Sequence, residues 1–265
     1  MGILNVTPDS FSDGGKFVHL EQALAQVEQM ITDGASIIDV GGESTRPGAP
    51  EVSLEHELER VIPIVSAIKR QFDVVVSVDT SKAQVMSEAV KVGAGIINDV
   101  RALQNEGCID VMAQNDVPIC LMHMQGMPRS MQNNPQYQDV THDIIEFIAQ
   151  RINVCQQAGI DKNRFLVDPG FGFGKTLEQN YLLLNQLSAF KSLGLPVLVG
   201  TSRKSMIGQL LNRPVNERLA GSLATALIAT QQGAKIIRVH DVKETVDALK
   251  ILEVAQQPEL ARDAV

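Results

Sequence analysis

The sequence contains no tryptophan and only two tyrosines among its 265 residues. Because 44% of the residues are nevertheless hydrophobic, a large core would have to be built from aliphatic side chains, as is common around buried parallel sheets. The three cysteines, Cys108, Cys120 and Cys155, are widely spaced and form no CxxC pair. We therefore expect neither a disulfide framework nor a zinc knuckle, and Cys120 fits a small buried core residue.

The sequence also has no run of Lys or Arg, and its 31 acidic residues outnumber its 23 basic ones, which gives a formal net charge of −8. A surface of this charge repels nucleic acid, which we exclude as a partner. No segment is long and apolar enough to span a membrane, and the first residues do not resemble a secretory signal peptide. We therefore expect a cytoplasmic protein without a membrane partner.

What the sequence does contain is a repeated alternation of short apolar runs and amphipathic segments. The runs are rich in Ile and Val and do not alternate apolar with polar residues, which is typical of parallel strands buried on both faces. Eight such runs predict strands at Ile3–Val6, Ser36–Val40, Val74–Val78, Gly95–Asn98, Pro118–Met122, Phe165–Val167, Val197–Val199 and Lys235–Val239.

The segments between these runs repeat apolar residues at helical spacing. They predict helices at Leu20–Thr32, Leu54–Phe72, Cys108–Gln114, Asp139–Ala158, Gln179–Leu193, Asn216–Gln231 and Lys243–Ala255. A further helix is predicted to begin after Ser81, which would be its N-cap. Eight strand–helix alternations predict an α/β fold, either a closed (β/α)8 TIM barrel or a doubly wound sheet, and their number and uniform texture favour the barrel. No linker or low-complexity segment interrupts the pattern, so residues 1–265 are predicted to form a single domain.

Polar residues follow each of the eight predicted strands. A single Asp in such a position is usually a helix cap, and Asp9, Asp99 and Asp241 fit that interpretation. In a closed barrel, however, all the carboxyl ends meet at one mouth, which is where α/β barrels place their active sites. Polar residues converging from eight strands therefore predict a small-molecule site there.

Two familiar phosphate motifs do not fit the segment after the sixth strand. Pro169 stands where a P-loop would need glycine, and Lys175 stands at the last glycine of GxGxxG. The glycines instead predict a loop whose backbone passes close to a flat ligand. No HExxH or CxxC pattern supplies metal ligands, so any metal is expected to be a hard cation held mainly by oxygens of the ligand.

The predicted mouth divides into two sides. Strand 8 of a closed barrel lies beside strand 1, and strand 1 beside strand 2, so one side would carry Asn5, Thr45, Arg46, Arg238 and His240. This group suits a di- or triphosphate with a divalent cation. The remaining arc offers hydrogen-bonding groups and apolar walls that suit a planar heterocycle, namely Asp79, Asn98, Asp168 and Lys204 with Met122 and Phe173.

Two of the loops at this mouth carry a specific resemblance. Residues 5–15, NVTPDSFSDGG, and residues 39–48, DVGGESTRPG, look like the two signature loops of the dihydropteroate synthase family, a family of pterin-binding enzymes. Residues 168–175, 202–205 and 238–240 resemble further motifs of this family. The resemblance runs from Gly2 to about Ala255 and is to the enterobacterial type.

The resemblance implies an activity: 6-hydroxymethyl-7,8-dihydropterin diphosphate and 4-aminobenzoate give 7,8-dihydropteroate and diphosphate. It implies a Mg²⁺ cofactor that meets Asn5 and the diphosphate. It implies that Thr45, Arg238 and His240 hold diphosphate oxygens, with Arg238 also over the pterin. The pterin contacts implied are Asp79, Asn98, Met122, Asp168, Phe173 and Lys204, and the catalytic roles fall to Asp79, Lys204 and Arg238.

The second substrate has its own implied pocket. It is bounded by Phe11, Arg46, Pro47, Phe173, Lys204 and Ser205, and sulfonamides would compete for it as analogues of 4-aminobenzoate. The resemblance also implies a homodimer. Members of the family place a segment of about hairpin length before strand 1, which this chain is expected to lack.

Two alternatives stay open. A pterin-binding methyltransferase on the same barrel would bind the edge of the pterin in the same way. It would need neither the loop 44–48 nor the Arg-Val-His set 238–240. A non-catalytic pterin-binding paralogue would not need Asn5, Asp79, Lys204 and Arg238 intact. Release of diphosphate with and without 4-aminobenzoate separates these possibilities.

Overall fold

The computed structural model describes residues 1–6, 16–44, 51–126, 131 and 135–264. Within these ranges the chain alternates parallel strands with helices, as the sequence pattern predicts. The strands are β1 (Gly2–Asn5), β2 (Ile37–Gly41), β3 (Val75–Asp79), β4 (Ile96–Asp99), β5 (Ile119–Met122), β6 (Phe165–Asp168), β7 (Leu198–Val199) and β8 (Ile236–Ile237).

The strands close into a ring. Strands β1 to β6 form one sheet in chain order, and β7 pairs with β8. Two bridges join these sheets, Val167 with Val197 between β6 and β7, and Gly2 with Val239 between β8 and β1. Because every pairing is parallel and the last strand returns to the first, the predicted (β/α)8 barrel is confirmed.

Helices follow the strands around the outside of the barrel. They are α1 (Lys16–Thr32), α2 (Leu54–Gln71), α3 (Ala83–Lys91), α4 (Cys108–Ala113), α5 (Val140–Gln157), α6 (Leu177–Asn185), α7 (Ser205–Leu211), α8 (Leu219–Gln231) and α9 (Val242–Gln256). Side-chain caps fix several of their starts: Ser53 accepts a hydrogen bond from the His56 amide at the start of α2, and Asp139 accepts from two amides of α5. None of the helices in the described ranges is long and apolar enough to cross a membrane.

Several details differ from the sequence prediction. The predicted helix Gln179–Leu193 starts earlier, because Thr176 and Gln179 form a capping box, and after Asn185 it gives way to a 3-10 helix at Leu187–Leu193. Helix α7 was not predicted, since its seven residues are too short to show a period. Ser81 is not an N-cap: Lys82 holds that position, and the Ser81 hydroxyl donates to Asp99 instead.

The core has two parts. Inside the barrel, a layer of four buried side chains comes from β4 to β7, namely Ile96, Cys120, Leu166 and Leu198. The larger part lies between the strands and the helices, where residues such as Val76, Val85 and Ile144 are fully buried. Each such side chain contributes roughly 1.5–3 kcal/mol by leaving water, so this shell holds the strand ends in place. Cys120 is the buried core residue that the sequence predicts.

Candidate active site

The strand register places polar side chains in one row at the mouth of the barrel. Asn5 pairs with Gly41, Gly41 with Asp79, and Asp79 with Asn98. Register partners on parallel strands point to the same face, here the barrel interior. Because Gly41 has no side chain, the groups on either side of it approach: a Cβ there would lie 3.9 Å from Asp79 Oδ2 and 4.0 Å from Asn5 Oδ1.

Arg238, which follows β8, reaches across this row. Its Nε donates to Asp39 Oδ2 at 2.6 Å, and its Nη2 donates to Asp79 Oδ2 at 3.0 Å. The Asn98 side-chain amide also donates to Asp39 Oδ2, at 3.2 Å. Strands β2, β3, β4 and the end of β8 are therefore joined by one network of two carboxylates, one guanidinium and one carboxamide.

Burial changes the proton affinities of the charged groups in the mouth. It raises the pKa of Asp79 to about 7, although the neighbouring Arg238 opposes this shift. It also raises the pKa of Asp168, where Lys204 is the main opposing charge. Burial lowers the pKa of Lys204 to about 8, although Asp168 favours its charged form. Groups that titrate near neutral pH and lie together are characteristic of functional sites.

Lys204 connects two loops of the mouth. Its Nζ donates to the backbone oxygen of Phe171 and lies 4.8 Å from the centroid of the Phe173 ring, where a cation–π interaction is favourable. Lys204 follows β7, whereas both phenylalanines belong to the loop after β6. The lysine therefore lies between a carboxylate, Asp168, and an aromatic wall.

The backbone conformation and packing of the loop after β6 explain why it contains glycines. Gly170 and Gly174 adopt φ values of +71° and +65°, which other residues rarely adopt. A Cβ at Gly170 would lie 1.8 Å from the backbone oxygen of His123, and one at Gly174 would lie 2.5 Å from that of Gln125. Contact with the neighbouring β5 loop therefore requires these glycines, whereas the sequence suggested close approach to a flat ligand.

A buried lysine holds the same loop from below. Lys175 is only 3% exposed, and its Nζ donates to the backbone oxygens of Gly170 at 2.7 Å and Phe173 at 3.0 Å. The Nζ also lies 3.1 Å from His123 Nδ1. Burial and the adjacent Lys175 lower the pKa of His123 to about 2, so the imidazole is neutral and its Nδ1 can accept this hydrogen bond.

The loops after β7 and β8 are also tied together. The backbone amide of His240 donates to Ser202 Oγ at 3.1 Å, and the same oxygen lies 3.0 Å from His240 Nδ1. The guanidinium of Arg203 forms an ion pair with Asp241 through two hydrogen bonds. These contacts fix His240 beside the loop that carries Lys204.

Comparison with known proteins places this geometry in a family. Residues 1–240 match the family described as pterin binding enzyme. The dihydropteroate synthase of Escherichia coli strain K12 is 59% identical over 253 residues, which are 96% of this chain and 90% of that protein. A crystal structure of the Yersinia pestis dihydropteroate synthase with a sulfonamide drug has a TM-score of 0.93 at 56% identity, covering 97% of this chain and 94% of that one. The chain belongs to the dihydropteroate synthase family.

A further solved relative extends this similarity. The Xanthomonas albilineans dihydropteroate synthase with 4-aminobenzoic acid has a TM-score of 0.91 at 49% identity, covering 97% of this chain and 92% of that one. The family resemblance predicted from the sequence is therefore confirmed, and this member is a transferase of folate biosynthesis. The methyltransferase alternative is disfavoured, because the relatives with this identity and coverage are dihydropteroate synthases.

The residues predicted for the site fall into four groups. Asn5, Asp79 and Asn98 share the strand-end row, and Arg238 bonds to it. Met122 pairs in register with Asp168, and Lys204 contacts Phe173, whereas Ser205 is exposed at the start of α7. His240 is held by Ser202. Four predicted members of this family site lie outside the described residues, namely Phe11, Thr45, Arg46 and Pro47.

Sequence reasoning missed two residues that this family member places within the site's framework. Asp39 lies inside an apolar run, but it is two positions before Gly41 and therefore on the same inward face of β2, which is a signal that strand periodicity could have supplied. Lys175 drew attention only as a mismatch to nucleotide motifs. No local pattern indicates that its ammonium group turns back into the protein.

Proposed function

We propose that the chain joins the 6-methylene carbon of 6-hydroxymethyl-7,8-dihydropterin diphosphate to the amino nitrogen of 4-aminobenzoate, giving 7,8-dihydropteroate and diphosphate. The observation that carries this proposal is the hydrogen-bonded network of Asp39, Asp79, Asn98 and Arg238 at the strand ends. The family relationship restricts the heterocycle that such a network receives to a pterin. The proposal treats residues 1–265 as one catalytic domain, since one core cluster extends from Leu4 to Val242.

The pterin would lie against the arc from β3 to β7. Asn98 offers both a donor and an acceptor, Asp79 and Asp168 offer acceptors, and Lys204 offers donors, which matches a ring edged with amide and amine groups. Met122 and Phe173 would cover its faces, because Met122 lies in register with Asp168 and Phe173 lies against Lys204. Arg238 would contact the ring with the flat face of a guanidinium whose edge the two carboxylates already hold.

The diphosphate would lie on the side of β8, β1 and β2, near Arg238, His240, Thr45 and Asn5. Among the described residues, no three His, Cys, Asp or Glu side chains cluster so that they could hold a metal ion. The single carboxamide oxygen of Asn5 fits a hard cation such as Mg²⁺, provided that diphosphate oxygens complete the coordination. When bound, Mg²⁺ would neutralise part of the charge on the diphosphate.

The reaction needs no strong general base. The C–O bond to diphosphate breaks, and its electron pair leaves with the diphosphate, where Arg238 and His240 stabilise the developing charge. The positive charge that remains on the pterin methylene carbon is delocalised into the ring, and ionised Asp79 offsets it. The lone pair of the neutral aryl amine then forms the C–N bond, and the nitrogen releases one proton to solvent.

The aminobenzoate would be bounded by Phe173 and Ser205 together with Phe11, Arg46 and Pro47. The solved relatives support this part of the proposal, since one is a complex with 4-aminobenzoic acid and another is a complex with a sulfonamide drug. Sulfonamides should therefore compete with 4-aminobenzoate. We place the reaction in the cytoplasm, where the three free buried cysteines would stay reduced.

A homodimer is the proposed assembly. Helices α7 and α8 and the turn between them expose several large apolar side chains, which a monomer in water would more commonly bury, namely Leu210, Leu211, Val215, Leu219 and Ile228. An isologous contact through this face would cover them in both subunits. Light scattering of the wild type and of Leu210→Asp tests this, with a dimer expected for the first and a monomer for the second.

The activity itself is tested by diphosphate release from the pterin diphosphate, measured with and without 4-aminobenzoate. The proposal expects release and formation of dihydropteroate that depend on 4-aminobenzoate and fall when a sulfonamide is added. A folded protein that binds the pterin diphosphate but forms no dihydropteroate would instead support a non-catalytic pterin-binding role.

A further inference from the structure

Asp39 is a fully enclosed carboxylate at the mouth of the barrel. It lies in the middle of β2, between Ile38 and Val40, and its side chain is fully buried. The groups that we assign to the reaction are more open: Asp79 lies two residues beyond Ser77, the register partner of Asp39 on β3, and Arg238 is 20% exposed. Asp39 is therefore placed beneath the substrate groups and is not expected to touch a substrate.

One oxygen of Asp39 serves two of those groups. Asp39 Oδ2 accepts from Arg238 Nε at 2.6 Å and from the Asn98 carboxamide at 3.2 Å. Accepting from the Asn98 NH₂ fixes which way that carboxamide faces, so its oxygen and its second N–H are the groups left for a ligand. Accepting from Arg238 Nε fixes the plane of the guanidinium, because Nη2 of the same edge is held by Asp79.

Stability alone does not account for Asp39. Within the described residues its second oxygen, Oδ1, is buried and has no hydrogen-bond partner, and neither has the hydroxyl of Ser77, its register partner on β3. A buried acceptor without a partner costs about 1–3 kcal/mol, and a buried ion pair is often no more stable than an apolar replacement. A carboxylate at this position therefore needs a role beyond holding the barrel together.

We propose that Asp39 is a positioning residue for pterin recognition: it orients the Arg238 guanidinium and the Asn98 carboxamide toward the pterin. This inference rests on the proposed function for the identity of the ligand. It makes a specific distinction, since a change at Asp39 should weaken binding of the pterin substrate and leave binding of 4-aminobenzoate unchanged.

The test compares Asp39→Asn with Asp99→Asn. Both aspartates are fully buried on barrel strands, Asp39 on β2 and Asp99 on β4, but Asp99 accepts from the amides of Arg101 and Leu103 and from Ser81, and it forms no ion pair or hydrogen bond with Arg238. Melting temperatures show that each variant is folded. Calorimetric affinity for 6-hydroxymethylpterin and for 7,8-dihydropteroate is measured first, followed by KM for each substrate and kcat.

For Asp39→Asn we expect pterin affinity to fall by about tenfold or more, as is typical when an outer group that orients a ligating residue is removed. The KM for 4-aminobenzoate should change by less than about twofold, because neither Arg238 nor Asn98 belongs to the pocket assigned to that substrate. Asp99→Asn should lower the melting temperature and leave pterin affinity within about twofold. Equal losses for both substrates, or an equal loss of pterin affinity in both variants, would overturn the proposal.

A second variant distinguishes positioning from folding. In an Arg238→Met background Asp39 loses its cation, so Asp39→Asn should there raise the melting temperature, whereas it lowers it in the wild type. Its effect on pterin affinity should shrink from about tenfold to less than about threefold, because only the Asn98 contact remains. An undiminished effect would contradict positioning through Arg238. Affinity is measured without turnover, so a wild type that binds pterin but forms no product would overturn the proposed reaction and not this inference.

Discussion

The two halves of the mouth are built in different ways. On the side of β1 to β4, the side chains of Asn5, Asp79 and Asn98 belong to the strands, and the parallel register sets their spacing. On the side of β6 and β7, Phe173 and Lys204 lie on loops, and hydrogen bonds from Lys175 and Lys204 to backbone oxygens hold those loops. In the first half the barrel itself fixes the positions of the side chains. In the second half these positions depend on contacts that single substitutions can remove.

The largest effect is expected from crowding the loop half. Gly170→Ala places a Cβ 1.8 Å from the backbone oxygen of His123 at a φ of +71°. Strain and overpacking together should lower the free energy of unfolding by about 3–5 kcal/mol, as measured by denaturant titration. The matched control is Gly159→Ala, where φ is +93° but nothing lies within 4 Å, so only about 1–2 kcal/mol should be lost. Similar losses in both variants would show that the contact with His123 does not require the glycine.

Next comes the removal of charge from the strand half. Asp79→Asn keeps the size and shape of the side chain, but it exchanges one acceptor oxygen for an NH₂ donor and no longer offsets the pterin cation. The barrier should rise by about 2–4 kcal/mol, which corresponds to a fall in kcat of roughly 30- to 1,000-fold, with a smaller loss of pterin affinity. Steady-state kinetics and calorimetry measure the two quantities. Losses of equal size would assign Asp79 a role in binding only.

A moderate effect is expected in the pH dependence, which reports on both halves. Asp79, with a pKa of about 7, must lose its proton, and Lys204, with a pKa of about 8, must keep its own. The value of kcat/KM should therefore fall as the pH drops through about 7 and fall again as it rises through about 8. In Lys204→Arg the alkaline limb should move upward and the acid limb should stay, because arginine remains charged.

The control for this profile is Lys91→Arg, since Lys91 is exposed on α3 in an ion pair with Glu88. Both limbs should stay where they are in the wild type. An alkaline limb that does not move in Lys204→Arg would assign it to a group other than this lysine.

The smallest effect is expected where the loop after β6 ends. Thr176 caps α6 by accepting from the Gln179 amide at 3.2 Å, so Thr176→Ala should cost about 1 kcal/mol in thermal unfolding. Thr176→Ser keeps the hydroxyl and should be close to the wild type. Because the buried Lys175 holds the loop independently of this cap, kcat should change by less than about twofold in either variant. A larger fall in kcat would mean that the helix cap, and not Lys175, positions the loop.

The contrast between the strand half and the loop half also explains which parts of the structure could be predicted from the sequence. The eight strands were predictable because apolar β-rich runs report burial on both faces, and once the barrel was inferred, the row of Asn5, Asp79 and Asn98 followed from topology. The loop half was less predictable. The seven-residue helix α7 and the 3-10 helix at Leu187–Leu193 are too short or irregular for a helical period, and the inward turn of Lys175 depends on tertiary packing.

The charged groups show a second limit of sequence reading. Asp39 has the same inward direction as Gly41, but its two partners come from β4 and from the end of β8, more than 50 residues away in the chain. No local pattern reports such contacts. The raised pKa of Asp79 depends likewise on burial, which the closed barrel brings about and which outweighs the opposing charge of Arg238.

A crystal structure with bound 7,8-dihydropteroate would show whether the network at the strand ends receives the pterin. We expect the pterin ring within hydrogen-bond distance of Asp79, Asn98, Asp168 and Lys204, with the Arg238 guanidinium over its face and Asp39 still bonded to that guanidinium. A pterin ring bound away from the strand ends, or an Arg238 that leaves Asp39 to meet the ligand, would contradict this expectation.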